Sequence, residues 1–313
     1  MKQEPFKLAS RFRPAAARLN LLLRRCRALL AFGLLMGLCA MPQAAQAKQV
    51  LVWLLRDLPP LTIFEGPQKG RGVIDQLMPA LIASLPEYEH SILRVNRARG
   101  LQMLQEPTFT CDPSLLWSQE RTRWIAYSSP SLRIMSNGLA VRRQDREALA
   151  PFIQDGEIDL AALLASDGKK LGVVAERSYG QNVDQWLKQA PAQALTAHYG
   201  NDALGSLLQM QRLGRLSALL GYWAEIRYQA QQQGIDPAEL SFYPIRQTPH
   251  YQSLHIGCSD TEEGRQVIAR INQTLHTLDL QQLSESYAAW LDTSMRGAYR
   301  EEIRGFFAAP PQP

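Results

Sequence analysis

Histidine and cysteine are scarce in this chain of 313 residues. There are five histidines and four cysteines. The histidines (His90, His198, His250, His255, His276) are scattered, so no metal-ligand spacing and no serine–histidine–aspartate arrangement is visible, and no phosphate-cradling glycine loop is present. These absences argue against metal-dependent hydrolysis, nucleophilic catalysis and nucleotide chemistry. No repeat of 20–50 residues is evident, which excludes a solenoid or propeller. Past residue 47 no apolar run is long enough to cross a bilayer.

An excess of positive charge is also missing from most of the chain. Residues 1–47 carry eight basic residues and one acid, leaving 26 basic and 28 acidic residues in the remaining 266. The high isoelectric point therefore belongs to the N-terminal segment and implies no nucleic-acid partner. That segment has a basic start, an apolar run from Ala28 to Ala40 and a small-x-small exit at Ala45-Gln46-Ala47. It predicts a secretory signal cut near Ala47 and a periplasmic destination. Two cysteines then remain in an oxidising compartment, Cys111 and Cys258. They predict either a bridge closing a 147-residue loop, worth about 4–5 kcal/mol in the chain-entropy model, or two buried thiols.

The body of the chain alternates between two periods. Gln49–Arg56 is a nearly continuous apolar run ended by Pro59-Pro60, as in a buried parallel strand. Val73–Leu85 has apolar residues at helical spacing. Strands are expected at 91–95, 125–129, 137–143, 170–175, 216–221, 240–246 and 254–257. Helices are expected at 97–104, 159–164, 181–188, 201–213 (capped by Asn201 or Asp202), 222–232, 263–278 and 280–291. Phe109–Leu116 reads as a strand end entering a loop, and the last residues as a loose tail. Strand and helix in alternation predict an α/β fold.

Several short motifs carry a resemblance. Ser118-Gln119-Glu120-Arg121 is followed by Tyr127-Ser128-Ser129-Pro130. Leu58-Pro59-Pro60-Leu61, Gly72-Val73-Ile74-Asp75, Asp159-Leu160 with Gly172-Val173-Val174, and Gly214-Arg215-Leu216-Ser217-Ala218 occur in matching order. Together they resemble the family 3, polar amino-acid type, periplasmic solute-binding proteins. The resemblance implies a two-lobed, type II periplasmic-binding-protein-like fold with two hinge crossings. Its layout would be a signal peptide at 1–47, lobe one at 48–138 plus 249–296, lobe two at 139–248, and a C-terminal tail at 297–313. Both Cys111 and Cys258 would then lie in lobe one. It further implies a non-enzymatic monomer that needs no cofactor or metal and takes a small polar or carboxylate-bearing solute in the cleft, for an ABC-transporter permease or a membrane sensor.

The same resemblance assigns the candidate residues. Arg121 stands where the family grips a ligand carboxylate, and a guanidinium suits that task because its planar fork of donors stays charged. Ser114 would offer a hydroxyl. Ser178, at a helix start, would present donors to an anion. Tyr222 occupies the place of the family's ammonium-binding carboxylate, while Glu176 and Arg177 replace its glycine–hydroxyl turn and Leu116 replaces a hydroxyl residue. These departures weaken the case for an ordinary zwitterionic amino acid, although Glu176 could supply the missing acid. Trp53, Phe64 and Trp117 are further aromatics of the stacking type, each with an ordinary core or rim role as the alternative. Two other functions remain open from the sequence. One is a dehydratase-type enzyme on the same fold, with Glu120 or Glu176 as acid. The other is an orphan module contacting a protein partner.

Overall fold

A computed structural model describes residues 48–200 and 202–308. The expected export signal with Cys26 and Cys39, the candidate cap Asn201 and the last five residues lie outside the described residues.

The chain runs β1 (Val50–Leu55), α1 (Val73–Ala83), β2 (Glu89–Arg94), α2 (Arg97–Gln105), β3 (Thr110–Leu116), a 3-10 turn at Gln119–Arg123, and β4 (Ile125–Met135). It continues through β5 (Gly138–Arg142), α3 (Arg146–Leu149), the small hairpin β6 (Ile153–Gln154) and β7 (Glu157–Ile158), and α4 (Leu160–Ala165). Then come β8 (Leu171–Val174), α5 (Gln181–Gln189), β9 (Leu195–His198), α6 (Ala203–Arg212), β10 (Ala218–Gly221), α7 (Trp223–Gln232) and β11 (Leu240–Pro244). The return consists of β12 (Tyr251–Ser259), α8 (Glu262–Thr277), α9 (Leu280–Ala288) and α10 (Thr293–Ala308).

Two five-stranded mixed sheets result, ordered β2-β1-β3-β12-β4 and β11-β5-β10-β8-β9. In the first, β1 is parallel to β2 and β3, and β12 runs antiparallel between β3 and β4. In the second, β8 is parallel to β9 and β10, with β5 antiparallel to β10 and β11. The architecture is α/β and two-lobed, as expected. The chain passes between the sheets twice, at Ser136-Asn137 and again between β11 and β12. The two passages are tied together where Ser136 N–H donates to the His250 carbonyl at 2.8 Å.

Apolar periodicity explains most elements. Val73, Ile74, Leu77, Met78 and Leu81 form the buried face of α1. Gly72 precedes that helix because a Cβ there would come within 2.3 Å of the Leu61 carbonyl oxygen. Asp75 then accepts from the Gly72 and Ile63 N–H groups, joining the helix start to the first loop. Side chains of Asn96, Asp159, Thr261 and Asp279 cap α2, α4, α8 and α9. Asp202 precedes α6 without a side-chain cap bond.

Two expectations need revision, and the cysteine pairing is decided. Phe109–Leu116 is a full central strand from Thr110 onward, not a strand end entering a loop. Asp112, Pro113 and Ser114 interrupt its apolar pattern, yet all are buried. Residues 297–308 of the expected tail belong to α10, whose Tyr299 and Ile303 are buried in the first core. The pair Cys111–Cys258 forms a disulfide across register partners on β3 and β12, with Cα atoms 4.0 Å apart, so the two-thiol alternative falls.

Candidate functional site

A narrow recess lies between the two halves of the molecule. From the first half it is lined by Leu58, Leu61, Arg97, Ser114, Leu116, Arg121 and Leu254; from the second, by Ser178 and Tyr222. Four sequence candidates, Arg121, Ser114, Ser178 and Tyr222, therefore meet in one place. Arg121 also lines an adjoining outer groove with Ser118, Glu176, Arg177, Ser178 and Asp184.

Arg121 is carried by the 3-10 turn after β3, where its N–H donates to the Ser118 carbonyl at 3.0 Å. Its guanidinium makes no hydrogen bond or ion pair among the described residues. Ser114, by contrast, belongs to a buried network at the end of β3. Arg56 is bound to Asp112 at 3.1 Å with both side chains buried, and its Nη2 also donates to the Ser114 carbonyl and Oγ, each at 2.7 Å. Asp112 accepts from the Ser114 N–H at 2.8 Å. This network explains why a strand tolerates an aspartate in its buried middle.

Ser178 follows the turn that leaves β8. Its Oγ donates to Asp184 at 2.6 Å, and Asp184 also accepts from the Tyr179 N–H at 2.7 Å. Burial pushes the Asp184 carboxyl above its ordinary value against these donors. Glu176 adopts φ of 58°, a left-handed conformation that a glycine would hold more easily. It is exposed in the outer groove and does not line the recess.

Arg177 is occupied. It grips Glu225 bidentately at 2.7 and 2.8 Å, with side-chain exposures of 5% and 4%. Its guanidinium also lies 5.8 Å from the Tyr222 ring centre and 5.9 Å from that of Tyr179. Tyr222 is the residue before α7, so it sits at the recess while Glu225, one turn on, reaches Arg177.

Three of these groups have no mark in the sequence. Arg56, Arg97 and Glu225 are charged residues whose partners lie 48 residues or more away where partners exist, so only the tertiary structure distinguishes them from solvated charges. Arg97 opens α2 behind the Asn96 cap. It makes no ion pair among the described residues, and its charged neighbours include the guanidiniums of Arg56 and Arg177. Burial first, then those two like charges, holds Arg97 well below its ordinary value.

The stacking candidates go elsewhere. Trp53 is fully buried, with Nε1 donating to His90 Nδ1 at 3.0 Å. Phe64 lies under Arg94, and Trp117 is exposed. Among the described residues no cluster of three potential metal ligands occurs, and no helix is long and apolar enough to cross a membrane.

No family model matches the sequence, and no curated protein matches it significantly. Solved structures do match. A histidine kinase sensor domain with similarity to periplasmic binding proteins superposes with a TM-score of 0.59 at 15% identity, covering 79% of this chain and 97% of that one. An ancestral arginine-binding protein bound to arginine gives 0.58 at 16%, covering 79% and 100%. An amino acid ABC transporter substrate-binding protein from Streptococcus pneumoniae, bound to L-arginine, gives 0.58 at 16%, covering 80% and 98%. At these identities the likeness shows the fold, which is the one the family 3 resemblance implies.

Proposed function

We propose that this chain is an exported solute-binding protein that captures a small carboxylate-bearing solute between two lobes, without turning it over. Lobe one comprises residues 48–138 plus 249 to the end of α10; lobe two comprises 139–248. The observation that carries the reading is Arg121: a guanidinium with no protein partner lines a recess walled by both halves. A free planar fork in a partly dry crevice is built for a carboxylate and costs desolvation energy until it holds one. Ser114 and Ser178 flank it with hydroxyls that donate to Asp112 and Asp184, and Leu58, Leu61, Leu116 and Leu254 supply an apolar wall for the rest of the solute.

The fold supports the reading because its known members include transporter binding proteins and membrane-kinase sensor domains, proteins that respond to a captured molecule by closure. Delivery to an ABC importer or signalling to a membrane sensor follows from that comparison, and the periplasmic location follows from the basic-apolar-small pattern of residues 1–47.

Thermal denaturation of the purified protein against a panel of small carboxylates tests this. A solute at 100 times its Kd adds about 2.7 kcal/mol of stability and raises Tm accordingly. Arg121→Ala is expected to abolish the ligand-induced rise while leaving the unliganded melting curve in place. A rise of the same size in the variant would remove Arg121 from the site.

A further inference from the structure

Two of the four arginines around the recess have an acid and two do not. Arg56 is neutralised by Asp112 and Arg177 by Glu225. Arg97 and Arg121 line the same recess, and neither is ion-paired among the described residues, although Asp112 and Asp184 act on them from farther off. The recess therefore carries a net charge of two positives.

A second narrow cavity adjoins it through Arg97 and Leu58, which line both. Its wall includes Arg56, Arg97 and Arg177. Two buried guanidinium nitrogens on this wall have no hydrogen-bond partner, Nη1 of Arg56 and Nε of Arg177. Buried donors without acceptors are costly, and more so when charged, so two of them beside a third, unpaired guanidinium call for an acceptor. The two carboxylates on the wall are engaged, Asp57 by Arg94 and Glu225 by Arg177. For the same reason no free carboxylate stands ready for a ligand's ammonium group.

We propose that the preferred solute is a small dianion lacking an amino group, such as an α,ω-dicarboxylate. One carboxylate is held by the fork of Arg121. The other sits on Arg97, in front of the free N–H groups of Arg56 and Arg177. This rests on the proposed solute-binding role and names the class of solute that the role serves.

Isothermal titration of the purified protein with succinate, glutarate and adipate, against butyrate, valerate and hexanoate, tests the second anchor. At least one dicarboxylate should bind about 10-fold or more tightly than the monocarboxylate of equal length, the scale of one additional charge-assisted contact. Glutarate should exceed glutamate, whose ammonium finds no free acid. Arg97→Gln should erase the dicarboxylate advantage and leave the monocarboxylate affinity within about 2-fold. The parent-protein comparison decides the matter even if that variant does not fold. Equal affinity for the two series, glutamate binding above glutarate, or an advantage that survives Arg97→Gln would overturn the second anchor. If monocarboxylates still bind and Arg121→Ala still abolishes that binding, the solute-binding reading stands without it. If no anion of either series binds, both fall.

Discussion

His255 shows how a single side chain reports on its surroundings. It lies on β12, half-buried, with Nδ1 2.7 Å from the Ser128 carbonyl and its ring edge-on to Tyr127. Burial lowers its pKa, and the carbonyl contact opposes this only in part. The ring is therefore neutral in the fold, and Nδ1 carries the hydrogen that it donates to Ser128. A histidine in the unfolded chain takes up a proton near pH 6.5. The folded protein takes up that proton only at lower pH. The contribution is thus intact above pH 6.5 and is lost as pH falls from there through the folded pKa. Urea midpoints at pH 7.5 and 5.5 should show the parent losing more stability than His255→Gln over this interval. Parallel losses in the two proteins would mean that the ring titrates normally.

At the same scale, Arg121 and Arg97 differ in what the sequence discloses. Arg121 falls in a Ser-x-x-Arg motif before an aromatic-Ser-x-Pro stretch, so its register is visible. Arg97 begins an ordinary amphipathic helix and looks like any solvated cation. Its neighbours come from β1 and the β8 turn, contacts that no local pattern encodes. Glu225 was hidden likewise, since an acid in the first turn of a helix is commonplace.

The C-terminal helix makes the corresponding point for elements. In α10 the sequence places Met295, Tyr299 and Ile303 one turn apart among arginines, glutamates and glycines, a stripe too thin to stand out from a polar tail. The structure buries Tyr299 to 1% exposure, packs it against Tyr287, and lets its hydroxyl donate to the Arg133 carbonyl at 2.7 Å. Glu302 on the same helix binds Arg133 at 2.5 Å. Tyr299→Ala should cost about 3–5 kcal/mol through lost burial and a cavity; Tyr299→Phe, which deletes one hydrogen bond, should cost about 1–2 kcal/mol. Urea unfolding of both variants checks the order and the sizes. A loss under about 1 kcal/mol for the alanine variant would show that α10 only lies on the surface. Most strands and the other long helices were legible because each carries enough apolar residues at one period; β9, four residues at a sheet edge, was not. β3 was not wholly so, because Asp112 and Ser114 are tolerated there only through Arg56.

Across the whole molecule the same charges bear on closure. Arg97 belongs to the first sheet's half and Arg177 to the second, and each disfavours the other's charge across the crevice. Opposite charges also meet between the halves, Lys188 with Glu120 at 3.4 Å and Arg227 with Asp292 at 2.9 Å, and exposed pairs of this kind contribute about 0–1 kcal/mol. The two chain passages near Ser136 and His250 are narrow enough to act as a hinge. Glu225 neutralises Arg177, so the net charge of the recess sits on the first half alone. A dianion seated on Arg97, in front of the Arg177 N–H, therefore adds an attraction across the crevice. Small-angle scattering should show the parent contract when a binding dicarboxylate is added, and Arg97→Gln contract less. A contraction of equal size in parent and variant would mean that closure depends on the solute's other contacts alone.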